Sequence, residues 1–230
     1  TPGFTIELIF HLLSSDNMVD ATSMIIDNGR ILISQGHMEL LGLIESINTA
    51  DISQEMLAKI LQFKGEILSL LGRFEEAKEA FGAAQEQAAN SKNNSILAEA
   101  LSALADISLK QGSLDESLAM HKEALEIFIK QKDAVGAARS YNNMGYLLRR
   151  KNDNSKAIES YSEVERILDE NDDPELISSQ LILARSLMDL GEIDRSRDHA
   201  LTAFDKTEKS KNKQLHARAQ AVLGRYYAKV

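Results

Sequence analysis

A small residue returns inside a helical pattern at Gly29, Gly65, Ala105, Gly145, Ala184 and Gly224, at intervals of 36, 40, 40, 39 and 40. A near-fixed period of that length restricts the chain to arrays in which each unit buries its apolar face against the next. Seven residues after each of the first five stands Gly36, Gly72, Gly112, Asn152 or Gly191, and five further on comes Leu41, Ala77, Ser117, Ala157 or Ser196. Antiparallel helices approach closely only where side chains are small, and a helix stop favours a residue that tolerates positive φ. The unit is therefore helix, tight turn, helix. Apolar residues at helical spacing, Leu61, Leu68 and Leu71, then Phe74, Ala77, Phe81 and Ala84, mark the stripes expected to be buried.

Composition supports an all-α reading. Good helix formers dominate, the two prolines lie near expected helix starts, and 43% hydrophobic residues suffice for a sizeable core. The absence of cysteine excludes disulfides, thiolate metal sites and a cysteine nucleophile, and fits a cytoplasmic protein. No uncharged apolar run approaches the roughly 20 residues of a spanning helix, so no membrane association is expected. A formal charge of -9 opposes direct binding to nucleic acid. The acidity is confined to one part: residues 1–134 carry 10 Lys+Arg against 20 Asp+Glu, and residues 135–230 carry 16 against 15.

In chain order, residues 1–50 form a helical lead-in with a degenerate first hairpin, in which Asp27, Asn28 and Gly29 are expected to break or bend the second helix. Residues 51–230 hold repeats over about 56–92, 96–132, 136–170 and 175–210, then a lone first helix over 215–230. Asp173, Pro174 and Glu175 supply a cap, a proline at the first helical position and an acid in the first turn. With no initiator methionine and an unfinished last unit, the chain is expected to be part of a longer protein.

Residues 61–84, with Gly65, Gly72, Arg73, Phe74, Glu75, Glu76, Ala77, Phe81 and Ala84, resemble a tetratricopeptide repeat, and 141–164, with Gly145, Ala157 and Tyr161, resemble it nearly as well. Departures are the missing tryptophan, alanine at 105 and 184, His121 and Ala200 at the late aromatic position, and no closing proline. The period near 40 is similar to that of sensor regions in signalling ATPases of the STAND class, and residues 11–13, 33–36 and 40–45 resemble the lead-in to such arrays. The resemblance implies a right-handed α-solenoid of antiparallel hairpins whose first helices line a concave face.

It also implies which residues face inward: those six, three and two before the small residue and one, four and five after it. In the unit of Gly145 these are Arg139, Asn142, Asn143, Tyr146, Arg149 and Arg150. Asn143 stands where similar repeats hold a peptide backbone with an asparagine amide, which both donates and accepts. Equivalent positions add Arg185, Arg218, Arg225 and Lys229 toward the C-terminus, but Lys59, Gln62, Glu66, Glu99 and Asp106 toward the N-terminus. Converging arginine forks suit an acidic or carboxylate-bearing peptide; the competing reading is a set of solvated or locally paired helix charges. A chaperone-tail clamp is not expected, because Ser102, Asp106 and Ile182 replace its Lys, Asn and Arg.

No catalytic, cofactor or metal constellation emerges. His11, His37, His121, His199 and His216 show no metal-ligand spacing, Glu75-Glu76 and Asp172-Asp173 fit helix starts or loops, and no Gly-rich phosphate loop exists. Tyr146, Tyr161, Tyr226 and Tyr227 read as packing residues rather than base-stacking ones. The leading expectation is a non-catalytic array that binds a protein or peptide, and the resemblance implies the sensor part of a STAND-type regulator. Two alternatives stand beside it: a small-molecule or short-peptide sensor with an enclosed pocket, and a scaffold that self-associates, for which the end helix offers a surface.

Overall fold

A computed structural model describes residues 2–170, 176–210 and 212–229. The expected start signal at Asp173, Pro174 and Glu175 lies outside the described residues. The fold is all-α and built of antiparallel helical hairpins, as the repeat requires. Two compact units divide it, 1–113 and 114–230. The N-terminal unit contains α1 (Pro2–Ser14), α2 (Met18–Ser34), the short α3 (Leu40–Glu45), a 3-10 turn (Thr49–Asp51), α4 (Gln54–Leu70), α5 (Phe74–Asn90) and α6 (Asn94–Lys110). The C-terminal unit contains α7 (Leu114–Gln131), α8 (Ala134–Arg150), α9 (Asn154–Glu170), α10 (Ile177–Leu190), α11 (Ile193–Ser210) and α12 (Lys213–Lys229).

One turn joins most of these helices. The five residues expected to take positive φ do so: 86° at Gly36, 76° at Gly72, 86° at Gly112, 62° at Asn152 and 88° at Gly191. The next N–H then reaches back five residues, Arg73 to the Leu68 carbonyl and Asp153 to the Leu148 carbonyl, both at 2.9 Å, closing the last helical turn. That same residue often caps the following helix. Asp133, for example, donates its N–H to the Phe128 carbonyl while its carboxylate accepts from the Gly136 N–H at 2.8 Å. Stop and start signals thus share one position, which keeps the turns short and the helices antiparallel.

Three further turns have positive φ without glycine: Asp16 at 60°, a type that tolerates it, and Lys92 and Lys132 at 56° and 59°, which do not. A side chain there costs about 1–2 kcal/mol, of which glycine's looser unfolded chain returns roughly 0.5–1. Lys132→Gly is accordingly expected to raise the urea midpoint slightly at unchanged slope; a lower midpoint would show that the lysine side chain makes a stabilising contact.

Three of the six small positions answer to aromatic rings. A Cβ added at Gly65 would stand 2.7 Å from the Phe81 ring, and one at Gly145 would stand 2.5 Å from that of Tyr161. Both rings are fully buried, and each pins the first helix of a hairpin to the second. Gly29 has the same role toward Phe63 of α4, 2.7 Å from its virtual Cβ, so α2 runs unbroken through the position expected to break it. The ring filling the space left by hydrogen outweighs glycine's poor helix propensity. Of the expected apolar stripe, Leu68 is buried but Leu71 is 47% exposed, because it is the C-cap of α4 rather than part of its inner face. In the C-terminal unit Ala184 and Ala200 meet within a core that includes Leu181, Val222, Leu223 and Tyr226.

Candidate functional site

The C-terminal unit brings three of the sequence-derived arginines to one place. Arg185 of α10 and Arg218 and Arg225 of α12 line a cavity of about 140 Å³ whose walls are Leu181, Ile182, Ala221 and Val222. Every lining residue stands at an inward position counted from Ala184 or Gly224. Residues three and four apart share a helix face, so Leu181 and Arg185, and Arg218, Ala221 and Arg225, necessarily project together. Of the four apolar walls only Ile182 was singled out in sequence, as a departure from the chaperone-tail clamp, although the same counting rule reaches all four.

Four other arginines of this unit are held by carboxylates, whereas Arg139 and Arg150, like the three at the cavity, have no carboxylate partner among the described residues. Arg149 approaches Asp189 at 3.2 Å, Arg166 pairs with Glu163 at 3.0 Å, Arg195 with Glu165 at 2.6 Å and Arg197 with Asp198 at 3.0 Å. Arg185, Arg218 and Arg225 have no carboxylate partner among the described residues. Lys229 is spent differently, donating to the Met188 carbonyl at 2.8 Å, near the C-terminus of α10, where a cation is favoured.

The remaining expected residues divide. Asn142 is fully buried and its amide donates to the Ser179 carbonyl of α10 at 3.2 Å, so it ties two first helices together and has no surface to offer a ligand. This corrects the expectation that it faces the concave groove as a ligand contact: counting positions gives a direction from the helix axis but not whether a neighbouring helix stands there. Arg149 serves the same α8–α10 contact through Asp189 and lies 5.7 Å from the Tyr146 ring centre. Asn143 and Tyr146 are half-buried, Arg150 is exposed in the last turn of α8, and exposed Arg139 lies 5.7 Å from the centre of the Phe128 ring. None of these α8 residues lines the arginine cavity.

In the N-terminal unit the corresponding positions neutralise one another. Glu99 of α6 accepts from Arg30 of α2 at 2.6 Å, from Gln62 of α4 at 2.6 Å and from Lys59 of α4 at 3.3 Å. Gln62 also donates to Glu66 at 3.2 Å and accepts from Lys59 at 3.0 Å. Burial pushes the Glu99 carboxyl up, but Lys59, Arg30 and the hydrogen bonds outweigh it and hold the group below its ordinary range. Glu66 moves up, because burial and the Glu99 charge exceed the help of Arg30, Lys59 and Gln62. Since the folded value of Glu99 is lowered, its stabilisation is complete above the ordinary glutamate range and is lost as pH falls through the folded value. Glu99→Gln should therefore cost on the order of 1–3 kcal/mol at neutral pH and flatten the acid dependence of urea stability; an unchanged acid limb would contradict the network.

A cavity of about 430 Å³ lies beside this network, lined by Ile33, Ser69, Leu70, Phe81 and Leu109 with Glu66, Asp106 and Lys110. The histidines have local roles: His37 meets Glu39 at 2.7 Å, His199 meets Glu165 at 2.9 Å, His216 meets Thr207 at 3.1 Å, and His121 is buried. Among the described residues no three His, Asp or Glu converge as a metal site, and no helix is long and apolar enough to cross a membrane. Tyr161 and Tyr226 are packed, whereas Tyr227 is 68% exposed.

No curated protein matches in sequence. BtubC from P. vanneervenii has a similar structure, with a TM-score of 0.64 and 18% identity over 92% of this chain and 90% of its own. The Rap conjugation gene regulator of plasmid pLS20, solved with the Phr* peptide, has a TM-score of 0.67 and 15% identity over 95% of this chain and 56% of its own. A STAND protein with a tetratricopeptide repeat sensor from Pyrococcus horikoshii has a TM-score of 0.70 and 15% identity over 94% of this chain but 34% of its own. The chain thus spans about half of the Rap regulator and a third of the STAND protein. At such identities the likeness is one of fold. The family description "Tetratricopeptide repeat" matches residues 56–130 and 96–170, which together make half of the sequence. With that match, the repeated turns and the rings seated on Gly65 and Gly145, the chain belongs to the tetratricopeptide-repeat family.

Proposed function

We propose that the chain is a non-catalytic binding module whose C-terminal unit takes an acidic segment of a peptide or protein. The observation that carries this reading is the set of three arginines without carboxylate partners, Arg185, Arg218 and Arg225, around one partly apolar cavity. Unpaired forks on apolar walls favour carboxylates beside an apolar residue, and they disfavour cationic ligands. Asn143 and Tyr146, with Arg139 and Arg150 on the same helix, are proposed as the neighbouring contacts for the extended backbone. Support from the fold comes from the Rap regulator, which was solved with a peptide, and from the STAND protein, whose repeats form its sensor. On that basis the chain is read as the sensing part of a larger regulator.

Anisotropy of labelled unstructured peptides tests the binding reading. An Asp/Glu-rich pool is expected to bind and to weaken with added salt, while a Lys/Arg-rich pool of equal length does not. Equal binding of both pools would contradict it. The larger N-terminal cavity favours a second reading, a short-peptide or small-molecule sensor, since its volume falls within the roughly 300–1,000 Å³ of ligand pockets. That reading expects a ligand whose affinity falls on Glu66→Gln and is indifferent to Arg218→Gln.

A further inference from the structure

Three exposed arginines lining a cavity of about 140 Å³ bring more positive charge than one carboxylate neutralises. Asp189, on the same helix as Arg185, pairs with Arg149, and the other cavity walls are aliphatic, so no carboxylate lines the cavity among the described residues. We propose that Arg185, Arg218 and Arg225 form a receptor for a phosphoryl group carried on a peptide side chain. This deepens the acidic-peptide reading and rests on it.

Charge, shape and volume favour that ligand together. A phosphoryl group carries about -1.5 to -2 at neutral pH and presents three strong acceptor oxygens, which matches three planar forks better than the two oxygens of a carboxylate. The cavity, about 140 Å³, is smaller than the roughly 300 Å³ at which drug-sized ligands begin, a size that suits one head group. Leu181, Ile182, Ala221 and Val222 then contact the methylene or methyl of the phosphorylated residue and the apolar side chain next to it. All three arginines stand on first helices, α10 and α12, whose positions are fixed by the core around Ala184, Ala219 and Leu223, so their backbone attachment points are held by rigid elements. Their spacing is set by the fold and not by loops. The overall charge of -9 disfavours the repeated phosphates of nucleic acid, whereas one phosphorylated side chain meets only the local positive field.

The test uses the full chain and three labelled peptide pools with identical degenerate flanks, centred on phosphoserine, serine or glutamate. Expected is binding of the phosphoserine pool at least about tenfold tighter than the glutamate pool, competition by inorganic phosphate, and loss in the Arg218→Lys/Arg225→Lys variant, which keeps charge but removes the forks. The melting temperature of that variant should be unchanged, since neither arginine has an ion-pair partner. Equal affinity for the glutamate and phosphoserine pools, both lost in the variant, would overturn the phosphoryl assignment while leaving the acidic-peptide reading intact. No binding of any pool would overturn both. Phosphoserine binding that survives replacement of all three arginines by glutamine would place the receptor elsewhere, and tighter binding of a single-stranded oligonucleotide would replace the peptide by nucleic acid.

Discussion

Gly145→Leu is expected to destabilise the C-terminal unit by about 1–3 kcal/mol, seen as a lower urea midpoint. The reason is steric and local. A Cβ at this position would lie 2.5 Å from one Tyr161 ring carbon and 2.7 Å from another, and the ring is fully buried, so neither it nor the helix has free space into which to move. Gly136 is tighter still, its virtual Cβ falling 2.3 Å from the Phe128 ring, and even Gly136→Ala should be costly. The same family position offers an internal control. Gly224 has nothing within 4 Å of its virtual Cβ, so Gly224→Ala should bring only the helix-propensity gain of roughly 0.5–1 kcal/mol. Opposite signs at Gly145 and Gly224 are the signature of a ring-seating role; destabilisation at both would mean that the two glycines serve a shared backbone requirement instead.

The second large effect is functional. Replacing Arg185, Arg218 and Arg225 together by glutamine should abolish binding of an acidic peptide, because charge-assisted hydrogen bonds contribute about 1.5–3 kcal/mol each and every 1.4 kcal/mol is about tenfold in affinity. Urea stability should stay where it was. These arginines have no carboxylate partners among the described residues, in contrast to Arg195, whose bond to Glu165 at 2.6 Å links α11 to α9. Arg195→Gln should behave in the reverse manner, lowering stability and sparing the peptide. A triple variant that loses stability and keeps its ligand would overturn the division between binding and structural arginines.

Much of the fold was legible because its constraints are local in sequence. The residues with positive φ at Gly36, Gly72, Gly112, Asn152 and Gly191 are of types that tolerate that geometry, and their regular spacing discloses the hairpin. Lys92 and Lys132 take the same conformation without any residue-type signal, and only their separation of 40 hints at it. The Gly136–Phe128 contact was not foreseen, since a glycine in the first turn of α8 reads as part of a helix start until the preceding helix is seen to press a ring onto it. At the candidate site, position counting reached Arg185, Arg218 and Arg225 because residues three and four apart are bound to share a face. It misjudged Asn142 because burial depends on a helix some 40 residues away, and the Ser179 carbonyl that takes its amide has no sequence signature. Likewise Arg149 and Arg185 are chemically alike in sequence. Only the placement of Asp189 against one of them separates a structural pair from a free fork.

The most direct test of the arginine cavity as the binding site is a titration of the full chain with an acidic peptide, followed through the arginine Nε–H and the methyl resonances in nuclear magnetic resonance spectra. Shifts are predicted at Arg185, Arg218 and Arg225 and at the methyls of Leu181, Ile182 and Val222, with the Arg166 and Arg195 signals of α9 and α11 unmoved. Shifts confined to α9 and α11, or to the network of Arg30, Lys59 and Glu99, would contradict it.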